Sequence, residues 1–261
     1  MYGNFSAPKA QEIVAARGDV LELLRPDATG RLAVAASVAV HGALRALAPF
    51  RLTGAPRDCL VVGSDSGRIV VLEVVPDPAA DEGSGALLFK RVHCETFGKS
   101  GVRRAVPGQH LAVDPKGRAV LIGALERAKL VYVLNRTADA ALTISSALEA
   151  HKSRSLCHAV AGLDVGYDNP VFAAIEEDCG AVDDGEAEGP PGRTLTLYEL
   201  DLGLNHVVRA SADPVPPTAT LLVPVPGGGD GPGGVLVCCE DVVEYRPPGG
   251  GGKGALAAAL P

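Results

Sequence analysis

Three observations predict an all-β chain built as a WD40-like β-propeller, an incomplete one of about five blades of antiparallel strands. Apolar runs are short, rich in Val, Leu and Ile, and broken by Gly, Pro and Asp. Several of them, such as Ile69-Val70-Val71-Leu72, are apolar at successive positions, as strands covered on both faces should be. Hairpin signals recur near residues 12, 59, 118, 171 and 235. That spacing, roughly fifty to sixty residues, suits four-stranded blades with connecting loops. A β-sandwich would finish sooner and turn more often.

The elements follow in order. Gln11 to Arg17 and Val20 to Leu24 flank Gly18-Asp19, a two-residue hairpin turn in which Gly supplies the positive φ. The apolar stretch Leu32 to Phe50 contains His41 and Arg45 and reads as strands, not as a membrane span. Asp58 to Gly63 and Arg68 to Val75 flank Ser64-Asp65-Ser66-Gly67. Gln109 to Val113 and Arg118 to Ala124 flank Asp114-Pro115-Lys116-Gly117, where Pro fits the second position of a type I turn. Strands are then expected at Lys129 to Leu134, His158 to Val165, Val171 to Ile175, Thr194 to Leu202 and His206 to Ser211. The pair Val235 to Cys238 and Val242 to Tyr245 completes the series. Helical character is confined to Ser146 to His151, where Ser146 and Glu149 have capping-box spacing, and to the Ala-rich tail. The tail, GGGGKGALAAALP, reads as a linker and not as a closing strand.

Charge narrows the function classes. The net charge is −7, and residues 176 to 188 hold seven acids and no base. Without that acidic loop, which ends in Gly189-Pro190-Pro191-Gly192, acids and bases are equal in number. A generic polyanion binder is therefore excluded. With no Trp and 4% aromatic residues, base-stacking platforms and aromatic sugar cages are excluded as well. Six scattered cysteines, no CxxC and no basic-then-apolar leader in MYGNFSAPKA point to a reduced, soluble, intracellular protein.

Catalytic motifs are sought and not found. Phe97-Gly98-Lys99-Ser100 resembles the end of a phosphate-binding loop, but the position that must be Gly is His93. His151, Cys157 and His158 lack the paired spacing of a zinc site. Cys238-Cys239 reads as two alternating strand positions. Asp65, Asp114, Asp164 and Asp201 lie mostly beside turns, where Asp bonds its own backbone, and a propeller hydrolase using such acids is the remote alternative. The Gly227 to Gly234 run lacks the strand-loop-helix context of a nucleotide cradle. No catalytic, cofactor-binding or metal-ligating residue is therefore assigned. One cluster stands out: Lys90, Arg91, Lys99, Arg103 and Arg104, opposed only by Glu95. Of these, Lys99, Arg103 and Arg104 are the candidate partner contacts, facing an acidic protein or nucleic-acid phosphates. A solvated hairpin is the competing reading.

Longer segments carry a family resemblance. LELLRPD (Leu21 to Asp27), FRLTG (Phe50 to Gly54), VVGSDSGRIVVLE (Val61 to Glu73) and ETFGKSG (Glu95 to Gly101) resemble the splicing factor 3b subunit 3 family. So do LAVDPKGRAV (Leu111 to Val120), KLVYVLNR (Lys129 to Arg136), LTISS (Leu142 to Ser146) and LEAHK (Leu148 to Lys152). YELDLGLNHVVR (Tyr198 to Arg209) and VPGGGDGPGGVLVC (Val225 to Cys238) complete the match. The wider family includes the large subunits of the damaged-DNA-binding ubiquitin-ligase adaptor and of the cleavage and polyadenylation factor.

The resemblance implies a non-catalytic, multi-propeller scaffold that helps clamp the HEAT-repeat subunit of splicing factor 3b, together with its small subunits. That complex sits in the nuclear U2 particle and acts in branch-site recognition. Nucleic acid is touched indirectly or weakly, and no cofactor, membrane or small-molecule substrate is implied. On this reading residues 1–247 are the partial first β-propeller, with an acidic loop at about 177–193, and residues 248–261 are a Gly/Ala-rich tail. The alternative is an adaptor in ubiquitin ligation or pre-mRNA cleavage and polyadenylation.

Overall fold

The computed structural model describes residues 1–81, 83–98, 104–123, 126, 128–137, 141–152, 154–180, 192–249 and 256–259. Their strands form five antiparallel sheets, each joined in chain order. The first contains β1 (Tyr2–Gly3), β2 (Glu12–Arg17), β3 (Val20–Pro26) and β4 (Leu32–Ala39). The second contains β5 (Leu44–Phe50), β6 (Cys59–Ser64), β7 (Arg68–Pro76) and β8 (Leu87–Thr96). The third contains β9 (Leu111–Val113), β10 (Ala119–Ile122) and β11 (Ala128–Arg136), with β12 (Leu142–Ile144) and β13 (Leu148–Lys152) each paired to β11. The fourth contains β14 (Ser155–Leu163), β15 (Val171–Asp178), β16 (Arg193–Asp201) and β17 (His206–Val215). The fifth contains β18 (Leu221–Pro224), β19 (Val235–Cys238), β20 (Val242–Arg246) and β21 (Leu256–Ala259). Four of the five hairpin signals fall at the middle pair of one sheet, and the one at residues 114–117 joins β9 and β10, an outer pair of the third sheet.

Turn chemistry sets the registers. Gly18 has φ of 64° and closes the hairpin in which Arg17 faces Val20. The Gly117 amide bonds the Asp114 carbonyl at 2.7 Å, closing the turn that Asp114-Pro115 begins.

Two compact units divide the chain, one holding the first two sheets with Leu134–Ile144, the other holding His110–Val133 and the residues from Ser145 onward. In the first unit Val14, Leu21 and Leu23 of sheet one pack with Leu60, Val62, Val70, Leu72 and Val74 of sheet two. In the second unit the alternation along β15 serves two interfaces at once. Phe172 and Ala174 pack with Leu121, Val131 and Val133 of sheet three, whereas Ala173 and Ile175 pack with Val235 and Val237 of sheet five. Each Val, Leu, Ile or Phe among them contributes about 1.5–3 kcal/mol by leaving water, and each Ala correspondingly less. This double coverage is why the strands lack a polar-apolar alternation. Backbone also approaches backbone closely: a Cβ on Gly162 would collide with the Val113 carbonyl oxygen, and one on Gly227 with that of Asp164.

The structure departs from expectation at several places, β1, β12 and β18 being short strands not expected from the sequence. Ser146 to His151 is no helical turn. Leu148–Lys152 is extended as β13, because Leu148 and Ala150, two apart, both reach the sheet-three core and the ladder to β11 satisfies the backbone. The tail, expected as a linker, contributes β21, whose Leu256 to Ala259 pair with Tyr245 to Val242. Edge pairing needs only backbone groups, which an Ala-rich segment leaves accessible. Strand β8 was hidden by Lys90, Arg91 and Glu95, which break the apolar run of a strand covered on only one side. Of the acidic loop, Glu177 and Asp178 end β15 and Arg193 begins β16, while residues 181–191 lie outside the described residues.

Candidate interaction site

Of the basic segment the described residues are Lys90, Arg91 and Arg104. Lys90 and Arg91 lie on β8 in the first unit and point to opposite faces, paired respectively with Glu73 and Leu72. Lys99 and Arg103 lie outside the described residues. Arg104 is held by its own chain: its amide donates to Glu126 Oε1, and its guanidinium lies 3.8 Å from Glu126 Oε2. The Glu126 side chain is only 7% exposed, that of Arg104 37%, so the arginine both neutralises a buried acid and keeps a face to solvent.

The four candidate acids are turn latches. Asp65 accepts from the Ala43 amide at 2.8 Å and from Arg45 at 3.2 Å. Asp114 takes Arg118 through two bonds, Nε to Oδ2 at 2.8 Å and Nη2 to Oδ1 at 2.9 Å. Arg118 also donates to the carbonyls of Asp168 at 2.7 Å and Gly166 at 3.3 Å, tying the third sheet to the fourth. Asp164 accepts from the Gly227 amide at 3.0 Å, which with the Gly166 amide and Lys116 holds its carboxyl below the usual range. Asp201 accepts from Gly203 and Leu204, each at 2.9 Å. Every carboxylate is committed to the backbone or to an arginine, and none is aimed at a cavity with a second acid.

The buried Glu12 behaves similarly. Burial pushes its carboxyl up, but the Ser6 hydroxyl and amide and the Arg25 guanidinium outweigh that and hold it below the usual carboxylate range. The bonds are Ser6 Oγ at 2.6 Å, Ser6 N at 2.8 Å and Arg25 Nη2 at 2.7 Å.

Sequence reasoning missed one constellation. In the second unit Lys129, with no exposed surface, sets its ammonium against Glu176 Oε1 and donates to Ser155 Oγ at 2.6 Å. The Tyr198 hydroxyl donates to Glu176 Oε2 at 3.0 Å, and burial followed by the nearby carboxylate pushes the phenol far up. The signal was present: Lys129 shares its strand face with Val131 and Val133, and Glu176 shares its face with Phe172 and Ala174. Opposite charges at core phase on two strands imply a buried pair. The group is closed off and neutralised, which makes it a structural tie.

The suspected metal ligands are used otherwise. His158 contacts Glu177 at 2.8 Å, and His151 lies 3.3 Å from Arg209. Burial pushes the Cys157 thiol up to about 12. Among the described residues no three His, Cys, Asp or Glu side chains gather as a metal-holding group. The arrangement suits holding blades and loops in place and presenting surface.

Residues 1–258 match the family model for the RSE1/DDB1/CPSF1 first β-propeller. The chain belongs to that family. Its five sheets are therefore propeller blades. Relatives of this RSE1/DDB1/CPSF1 chain carry splicing names. Spliceosome-associated protein 130 A of Arabidopsis thaliana is 58% identical over 250 residues, covering 95% of this chain and 20% of the relative. Splicing factor 3B subunit 3 of Danio rerio is 55% identical, covering 94% of the chain and 20% of the relative. Pre-mRNA-splicing factor RSE1 of Mycosarcoma maydis is 53% identical over 255 residues, with the same shares. The chain thus spans about one fifth of the length of the curated relatives it matches.

Proposed function

We propose that this chain is the first-propeller part of a non-catalytic scaffold in pre-mRNA splicing, acting within splicing factor 3b of the nuclear U2 particle. The observation that carries the reading is the 58% and 55% identity, over nearly the whole chain, to proteins named for the spliceosome and for splicing factor 3B. The blade architecture agrees with it: the polar side chains described above are spent on latching loops and tying blades, the economy of an interaction module. On this proposal residues 1–247 carry the propeller through β20, and the Gly/Ala-rich tail 248–261 adds β21 as the outer strand of the fifth blade. The partners are the HEAT-repeat subunit and small subunits of the complex, with nucleic acid touched indirectly or weakly. No cofactor is required.

Affinity purification of the tagged protein from nuclear extract, followed by mass spectrometry, tests the reading. Recovery of branch-site splicing subunits is the expected outcome. Cullin subunits or polyadenylation subunits in their place would move the chain to the alternative branch of the family. Lys99, Arg103 and Arg104 are proposed as partner contacts. Reversing Lys99 and Arg103 to Glu should weaken assembly in a salt-sensitive manner, because charges at a partner contact act mainly on association, while Arg104, tied to Glu126, is left in place. Unchanged recovery at low salt would return them to a solvated surface.

A further inference from the structure

A groove of about 210 Å³ lies between the outer strands of the first two blades, both within the first unit. Val38 and Val40, in and just after β4, form one wall. Phe89, Arg91 and Cys94 of β8 form the other, and Arg68 of β7 flanks it. The strand register explains this composition. Facing residues of a ladder share a side of the sheet, and Val70, Leu72 and Val74 point toward the first blade. Their partners are Cys94, Arg91 and Phe89, and Arg68 is two residues before Val70 on the same phase. The acids of this hairpin fall on the opposite side: Glu73 pairs with Lys90, and Glu95 pairs with Ile69. Strand β4, sequence LAVAASVA, carries no charge at all.

The groove therefore has largely apolar walls, with Arg68, Arg91 and His41 beside them and no acid in its lining. Among the described residues neither arginine makes an ion pair or a side-chain hydrogen bond. A guanidinium beside an apolar slot is suited to a carboxylate, which it binds through two parallel bonds. RNA is disfavoured: two arginines and His41 around a slot for one or two side chains do not make a phosphate track, and Phe89 is buried within the wall, leaving the His41 imidazole as the one exposed ring in the lining. We propose that this groove docks an extended segment of a partner protein that places an apolar side chain in the slot and a carboxylate on Arg68 and Arg91. The proposal rests on the scaffold reading only in taking the partner to be a protein. Its test reads peptide binding by the chain itself, so it can fail while co-purification succeeds, and the reverse.

The test uses the full 261-residue chain and fluorescein-labelled ten-residue probes read by anisotropy. A Leu-Asp repeat should bind at least about tenfold more tightly than a Leu-Lys repeat or a Ser-Asp repeat. The Arg68→Glu/Arg91→Glu variant should lose about tenfold or more, whereas Arg68→Lys/Arg91→Lys should lose less. Cys94, the exposed cysteine of the six, supplies a reading that needs no variant: the Leu-Asp probe should slow its reaction with a maleimide. Equal binding of the Leu-Lys probe would overturn the proposal. So would full binding by the charge-reversed variant, or unprotected Cys94 at saturating probe. Ten-residue oligouridine that binds tighter than the peptides and protects Cys94 would assign the groove to RNA. Should the variants fail to melt cooperatively, Cys94 protection in the unaltered chain decides.

Discussion

The Lys129 ammonium meets the Glu176 carboxylate with both side chains sealed from water, bridged by Ser155 and capped by the Tyr198 hydroxyl. A buried pair of this kind is costly to break and cheap to replace as a whole. Glu176→Gln leaves the buried Lys129 ammonium facing a neutral amide in place of the carboxylate. We expect it to lower unfolding stability by about 3–5 kcal/mol in urea titrations. Replacing both partners, Lys129→Met with Glu176→Leu, should cost less than either single change. A double variant that loses the sum of the two would show that the pair acts through something other than charge.

His110 should make the protein acid-sensitive in a defined window. Burial and the neighbouring His158 push its pKa down to about 4. The folded chain therefore disfavours the imidazolium, while the unfolded chain takes up the proton near about 6.5. The contribution is full above about pH 6.5, declines below it, and is gone once the pH falls through about 4. Its size is up to about 3 kcal/mol. His110→Gln should flatten the melting-temperature profile across that window, and an unchanged slope would contradict the assignment.

Arg118 should matter more than a surface arginine does. It occupies both oxygens of the buried Asp114 and two carbonyls of the next blade's loop. Arg118→Ala should cost about 3 kcal/mol, since charged hydrogen bonds are worth about 1.5–3 kcal/mol each and Asp114 is left buried alone. Arg118→Lys should restore only part, because an ammonium cannot fork across a carboxylate. Denaturant midpoints of the two variants check the order.

Glycine positions separate sharply. At Gly162 an added methyl would strike the Val113 carbonyl oxygen, whereas at Gly229 nothing lies within 4 Å. Gly162→Ala should cost at least about 2 kcal/mol, and Gly229→Ala should stay within about 0.5 kcal/mol. Thermal melting of the pair is a direct comparison.

Much of the fold was legible in residue order. Gly18, Gly67 and Gly117, with the Asp and Ser beside them, marked three of the hairpins, and doubled apolar positions such as Val70-Val71 announced strands covered on both sides. Strand β13 was misread because Ser146 and Glu149 satisfy a local helix rule, while the ladder to β11 is decided at long range. Strand β21 was missed because Ala carries almost no strand signal by itself. The opposite faces of Lys90 and Arg91 could not be read the same way: adjacency of Lys and Arg in sequence does not say which neighbour each face meets, and the bulge between Val71 and Leu72 alters the register with β8 at that point. The buried Lys129 was written in the phase of its strand and was overlooked because charge suggests surface.

The fourth sheet lends alternate residues of β15 to two neighbours, so within the second unit it cannot loosen without wetting both. Separation at the fifth sheet uncovers one apolar face; separation at the fourth uncovers two. Deuterium uptake should therefore be slowest at the amides of Ala173, Ala174 and Ile175, and faster along β20 and β21. Strain applied to the far edge of this unit would be absorbed by the fifth blade peeling away before the third and fourth part company, a built-in order of yielding.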